Sequence, residues 1–212
     1  MHGYVARTLA AYEQDPERYE RATRAMDSGQ ELDRFVALLP DRAGPVLDAG
    51  CAFGRDSASL AARGVDVVGV DLTPAFIARA RQLHPELRFG VMDVCELDFP
   101  DATFAGVWCQ ATLLHLVDEH VAQALTEFGR VLRPGGALYV SFKEGDGEEF
   151  AVERFSSDGA RFFRYQSVER VRSLVAEAGL DVVEVIRQNE RDRHGAAHRD
   201  ITWLQAYAHR PG

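Results

Sequence analysis

Val46-Leu47-Asp48-Ala49-Gly50-Cys51-Ala52-Phe53-Gly54-Arg55-Asp56 passes from an apolar run through a bend of small residues into a polar, helix-forming stretch. The pattern predicts a strand, a turn and the start of a helix. Glycines at such a turn let the backbone approach a ligand closely, and the helix start offers unpaired N–H donors. The dinucleotide-binding fingerprint requires glycine at three positions that fall here on Gly50, Ala52 and Arg55, so two of the three fail. A Walker phosphate loop requires a Gly-Lys-Ser/Thr ending, which the sequence lacks. A tight turn with no ligand remains open on turn chemistry alone.

Outward from this bend, short apolar runs alternate with amphipathic stretches. The runs are 46–49, 65–70, 87–92, 104–109, 137–142, 182–186 and 201–208, and the helical stretches are about 56–63, 74–83, 119–132 and 167–178. Gly64 and Gly179 fall where helices would stop. This alternation predicts an α/β fold with a mainly parallel sheet covered by helices on both faces. The last two runs are separated only by a polar stretch from Gln188 to Asp200, which predicts a closing antiparallel hairpin. Residues 1–40 carry helical periodicity broken at Pro16, and a second apolar stripe (Leu32, Phe35, Val36, Leu39) ends at Pro40. The expected organisation is one domain over 1–212, with a helical cap over 1–40 and the core over 41–212.

Composition narrows the class. Of 212 residues, 46% are hydrophobic and 27% charged, enough apolar material for a sizeable core. Lys and Arg number 24 against 33 Asp and Glu, a net charge of −9 that opposes binding to nucleic-acid backbones. Three cysteines form no close pair, which suggests a reducing, cytoplasmic setting. Neither a secretory leader nor a membrane span is expected from the hydropathy.

Asp48, Gly50, Ala52 and Gly54 resemble the Asp-x-Gly-x-Gly-x-Gly loop of the class I S-adenosylmethionine-dependent methyltransferases, with alanine at the middle glycine. That departure is accommodated if Ala52 keeps a negative φ. Val67-Val68-Gly69-Val70-Asp71 resembles the family's second strand, ending in an acid that accepts the ribose hydroxyls. Met92-Asp93-Val94 resembles the end of its third, where an acid meets the adenine amino group and the next backbone N–H meets the ring. Leu132-Arg133-Pro134-Gly135-Gly136 matches the family's entry into the fifth strand. The resemblance implies a Rossmann-like fold, with a seven-stranded, mainly parallel sheet and an antiparallel final strand. It further implies S-adenosylmethionine as cofactor, S-adenosylhomocysteine as product, and Tyr19, Cys51, Leu72, Gln110 and Ala111 beside the bound cofactor. Tyr12, Tyr19 and Thr23 resemble the N-terminal cap of small-molecule members; packing of aromatic helix faces on the sheet is the alternative.

At the acceptor end, Trp108 through Leu113-Leu114-His115 looks like a bacterial branch grouped with tellurite-resistance-type enzymes. The Asp/Asn-Pro-Pro-Tyr/Phe tetrapeptide of DNA amino-methyltransferases is missing. His115 is either a base that takes a proton from the acceptor or a residue that shapes the pocket. Lys143, Arg161 and Glu148 either meet charges on the acceptor or pair with one another to pin a loop. Phe155, Phe162, Phe163 and Tyr165 would form an apolar wall or pack that loop down. Arg187, Arg191, Arg193 and Arg199 form either a solvated loop or a rim for an anionic acceptor. His194 and His198 have a metal-like spacing but no third ligand, so no metal is expected. Cys51 and Cys109 read as small packing residues. The expected partner is a small-molecule methyl acceptor rather than nucleic acid or membrane, and the expected assembly is a monomer or homodimer. The alternatives are methylation of tRNA or protein, or cofactor binding without catalysis.

Overall fold

A computed structural model of the chain describes residues 2–40, 44–153, 159–194 and 198–212. Three helices lead: α1 (Gly3–Glu13), α2 (Pro16–Thr23) and α3 (Gly29–Leu38). The break at Pro16 is a capped helix start. The Asp15 carboxylate accepts the Arg18 N–H at 2.9 Å, and proline fills the first-turn position where a missing N–H costs nothing.

The alternation follows as β1 (Val46–Ala49), α4 (Arg55–Ala61), β2 (Val67–Asp71), α5 (Pro74–Leu83), β3 (Arg88–Val91) and β4 (Phe104–Cys109). After a short 3-10 turn (Leu113–His115) come α6 (Asp118–Val131), β5 (Leu132–Lys143), β6 (Glu148–Ala151), β7 (Arg161–Arg164) and α7 (Val168–Glu177). The chain closes with β8 (Asp181–Asn189), α8 (Glu190–His194) and β9 (Thr202–His209). The seven-stranded sheet has the order β3-β2-β1-β4-β5-β9-β8. β1 to β5 run parallel, and β9 is antiparallel to both of its neighbours. This is the expected Rossmann-like sheet with its antiparallel final strand. Strand order reverses between β1 and β4, which opens a crevice beyond their carboxyl ends.

β1 and β4 are buried along their whole length, as strands covered on both faces must be. One core gathers Leu47, Val107, Phe128, Leu138 and Phe142; a second gathers Phe35, Trp108, Tyr139 and Tyr207 beneath α3. Gly64 (φ +80°) and Gly179 (φ +75°) end α4 and α7 in the left-handed conformation expected of them.

Two elements depart from the sequence reading. The segment after β5 is a β6–β7 hairpin rather than a loop; β6 is largely exposed and gives no alternating signal, while Phe162 and Phe163 of β7 are buried. The polar stretch between the last two strands holds the short α8. Arg193 on that helix is ion-paired with Glu31 of α3.

Candidate active site

The bend after β1 is shaped by backbone demands. Gly50 has φ +86°, and a Cβ there would lie 2.0 Å from Thr112 Oγ1. Gly54 has φ +78°, and its Cβ would lie 2.6 Å from the Phe89 ring. Ala52 corrects the sequence expectation: its φ is +47°, left-handed rather than negative. Ala111, after β4, has φ +53°. Each left-handed alanine costs roughly 1–2 kcal/mol, supplied by surrounding contacts. The Ala52 N–H donates to Asp71 Oδ2 at 3.0 Å, and the Ala111 N–H to Ser141 Oγ at 2.8 Å. Asp71 Oδ1 also accepts the Thr73 N–H at 2.8 Å, so one carboxylate braces both the bend after β1 and the turn after β2.

A cavity of about 320 Å³ opens over these strand ends and beneath α1 and α2. Gly50, Asp71, Leu72, Asp93 and Val94 line it from the sheet side. Gln110, Ala111, His115 and Tyr19 complete the set of sequence-assigned residues on its wall. Asp48, Cys51 and Gly54 lie outside that lining. Asp48 is buried below the bend, where its carboxylate accepts from Ser57 Oγ at 2.5 Å. Desolvation pushes that carboxyl up to about 7. Cys51 packs with Ile77, Ala80 and Phe89, and Cys109 lies in the main core, so both are packing residues as read.

The cap closes with aromatic contacts. Tyr19 stacks on Phe76 at 5.5 Å between ring centroids, Phe76 meets Phe53 at 4.4 Å, and Tyr12 stands edge-on to Tyr19 at 5.0 Å. Arg55, at the start of α4, donates to the Thr23 carbonyl at 3.1 Å and so ties the cap to the bend.

His115 is held at both ring nitrogens. Its Nδ1–H donates to the Phe162 carbonyl at 2.6 Å, a tautomer set by that acceptor, and its Nε2 accepts the Tyr12 hydroxyl at 2.8 Å. The Tyr12 oxygen in turn accepts from Arg161 Nη1 at 2.7 Å. Desolvation first, and then the Arg161 charge, push the imidazole down to about 3. A neutral ring with both nitrogens engaged positions Tyr12 and braces the pocket; in this arrangement it has no lone pair left for an acceptor proton.

Lys143 and Arg161 are buried on a residue the sequence reading missed. Lys143 Nζ reaches Glu153 Oε1 at 2.5 Å, and Arg161 Nη2 reaches Glu153 Oε2 at 2.8 Å. Neither cation lines the cavity. Glu148 is exposed on β6, away from the site, because its register opposes Arg164 on the outer hairpin. Phe155 lies outside the described residues, as does the side chain of His194; among the described residues no cluster of acids, histidines and cysteines suits a metal. The arginine-rich segment is not an open basic rim. Arg187 pairs with Glu144, Arg191 with Asp200, Arg193 with Glu31, and Arg199 with Glu190. Thr112, Ser141 and Glu153, which complete the geometry, carried no local signal, since each acts across the fold.

A model of a methyltransferase domain matches residues 46–136, the stretch that builds the bend, Asp71, Asp93 and the β4 end. The ubiquinone biosynthesis O-methyltransferase of Cereibacter sphaeroides is 31% identical over 186 residues, covering 82% of this chain and 72% of that protein. This chain belongs to the class I S-adenosylmethionine-dependent methyltransferases. The 27-O-demethylrifamycin SV methyltransferase of Amycolatopsis mediterranei is 31% identical over 175 residues, 76% of this chain. The chain spans 63% of that relative's length. Among solved methyltransferases, the 1,6-didemethyltoxoflavin-N1-methyltransferase of Burkholderia thailandensis shares the fold, with a TM-score of 0.77 at 24% identity over 100% of this chain and 90% of that one. That structure contains 1,6-didemethyltoxoflavin and S-adenosylhomocysteine. As a member of that family, shown by the domain match and the 31% identical relative, this chain uses S-adenosylmethionine as its cofactor. No helix among the described residues is long and apolar enough to cross a membrane.

Proposed function

We propose that this methyltransferase transfers the cofactor's methyl group to a small organic acceptor by direct displacement. The acceptor heteroatom bonds to the methyl carbon as the sulfur–carbon bond breaks; sulfur leaves with the electron pair, and the acceptor's proton passes to water. Asp71 would accept the ribose hydroxyls, Asp93 and the Val94 N–H would meet the adenine, and Gln110 and Ala111 would lie under the sulfonium. Tyr19 would close over the methionine end, with the Gly50 and Gly54 bend behind it and Asp48 supporting that bend from below.

One observation carries this reading: the acids ending β2 and β3, the left-handed alanines and the aromatic cap all converge on one cavity. Catalysis then needs mainly alignment, since holding reactants at attack distance can supply on the order of 7–11 kcal/mol. The relatives named for 27-O-demethylrifamycin SV and for ubiquinone biosynthesis support a small acceptor. The cap and the core would act as one domain, and three unpaired cysteines support a cytoplasmic setting.

The test supplies methyl-labelled S-adenosylmethionine with a panel of phenols, amines and carboxylates, and separately with bulk tRNA. Label is expected in a small molecule. Label in tRNA alone would contradict the proposal, and cofactor binding without transfer to anything would leave a non-catalytic binder.

A further inference from the structure

The cavity is divided by charge. Its carboxylates, Asp71, Asp93 and Glu96, lie at and just beyond the ends of β2 and β3. His120 and Gln123 gather at that same end around Cys95, whose carbonyl accepts from Gln123 Nε2 at 3.0 Å and whose thiol meets the His120 carbonyl at 3.5 Å. The wall toward α1 is made of Val5, Thr8, Leu9 and Tyr12, with Leu116 also on the lining; His2, the cap of α1, lies at the His120 end, its ring 4.2 Å from that imidazole. Among the described residues that line the cavity, none is Lys or Arg.

The nearby cations are turned elsewhere. Lys143 and Arg161 are both buried on Glu153, and Arg161 spends a second N–H on the Tyr12 oxygen. The hydroxyls on this wall already have partners within the fold. Thr8 Oγ1 accepts the Phe162 N–H at 3.0 Å, Tyr12 donates to His115, and Thr112 Oγ1 donates to the Gln110 carbonyl at 3.1 Å. A carboxylate or phosphate entering against Val5, Leu9 and Tyr12 would give up its hydration without meeting a lysine or arginine, and such desolvation is costly. An uncharged ring would bury apolar surface against Val5, Leu9 and the Tyr12 face.

We infer that the acceptor is an uncharged, largely apolar aromatic molecule, and that the site rejects its carboxylated or phosphorylated counterparts. This inference rests on the transferase reading above, which gives the acidic end to the adenosyl group. It reverses the sequence-level alternative in which Lys143 and Arg161 receive an anionic acceptor.

The experiment uses the full chain saturated with S-adenosylhomocysteine and matched pairs in which a carboxylate replaces a hydrogen or a methyl, such as catechol against 3,4-dihydroxybenzoate and 4-methylphenol against 4-hydroxybenzoate. Affinity is read by ligand-observed NMR at 50 and 500 mM NaCl, concentrations chosen as roughly low and high relative to physiological screening. The neutral member is expected to bind at least about tenfold more tightly at both salts, because desolvation is not screened as long-range repulsion is. Equal binding, tighter binding of the carboxylate, or no binding of either member to the loaded protein overturns the inference. A gap that vanishes at high salt overturns it too, since the −9 surface would then be the cause. Failure of S-adenosylhomocysteine itself to bind would instead overturn the cofactor assignment on which the transferase reading stands. Leu9→Arg, checked for folding by its melting curve, is expected to narrow the gap by placing a guanidinium on the α1 wall.

Discussion

The two sides of the cavity are built by different means. On the β1–β2–β3 side the structure is made by short-range backbone geometry: a bend of small residues, a carboxylate that accepts two turn N–H groups, and glycines where a Cβ would collide. On the cap and hairpin side it is made by side chains far apart in sequence. Arg161 reaches Tyr12, Tyr12 reaches His115, and His115 reaches back to Phe162. In the proposed reading, a cofactor common to many enzymes is met by local, repeatable geometry, and the acceptor, which differs from enzyme to enzyme, faces contacts that can change without disturbing the sheet.

The sharpest way to break this contrast is on the local side. Gly50→Ala forces a Cβ against Thr112 at a left-handed φ, so we expect a loss of roughly 2–4 kcal/mol in stability together with weakened S-adenosylhomocysteine binding. Denaturant unfolding and a cofactor titration on the same preparation check both; a variant with native stability would show that the bend is not sterically required.

The next effect tests the distant side. Tyr12→Phe strands His115 Nε2 and Arg161 Nη1 in a buried setting and should cost about 1–3 kcal/mol in denaturant unfolding. S-adenosylhomocysteine affinity should change far less than in Gly50→Ala. Equal losses of cofactor affinity in the two variants would erase the distinction between the sides.

The most conditional effect depends on pH. A carboxyl raised to about 7 holds its proton more tightly in the fold than in the unfolded chain, so Asp48 costs stability as pH rises from about 4 to 7. Asp48→Asn should therefore be more stable than the parent chain in denaturant unfolding at pH 8, by on the order of a few kcal/mol at most, and the advantage should shrink toward pH 4. A pH-independent difference would show that Asp48 is charged beneath the bend.

The same contrast explains what was legible. The seven sheet strands and the helices α4 to α7 were readable because buried apolar runs and helical stripes are local patterns, closed by Gly64 and Gly179. Asp71, Asp93 and the bend were readable because each is fixed by its place at a strand end. The sign of φ at Ala52 was not, because it follows from the Asp71 carboxylate that holds its N–H. Glu153 gave no signal, since its meaning lies in Lys143 and Arg161, which approach it from β5 and β7. The hairpin was hidden because β6 is exposed on both sides of its pleat and borrows its order from β7.

The central claim, that Asp71 and the bend it braces grip the adenosyl group, is tested most directly by calorimetric titration of S-adenosylhomocysteine into the parent chain and into Asp71→Ala. The account predicts a loss of about 1.5–3 kcal/mol in binding free energy, more than tenfold in affinity, for the variant. Equal affinity in the two proteins would contradict it.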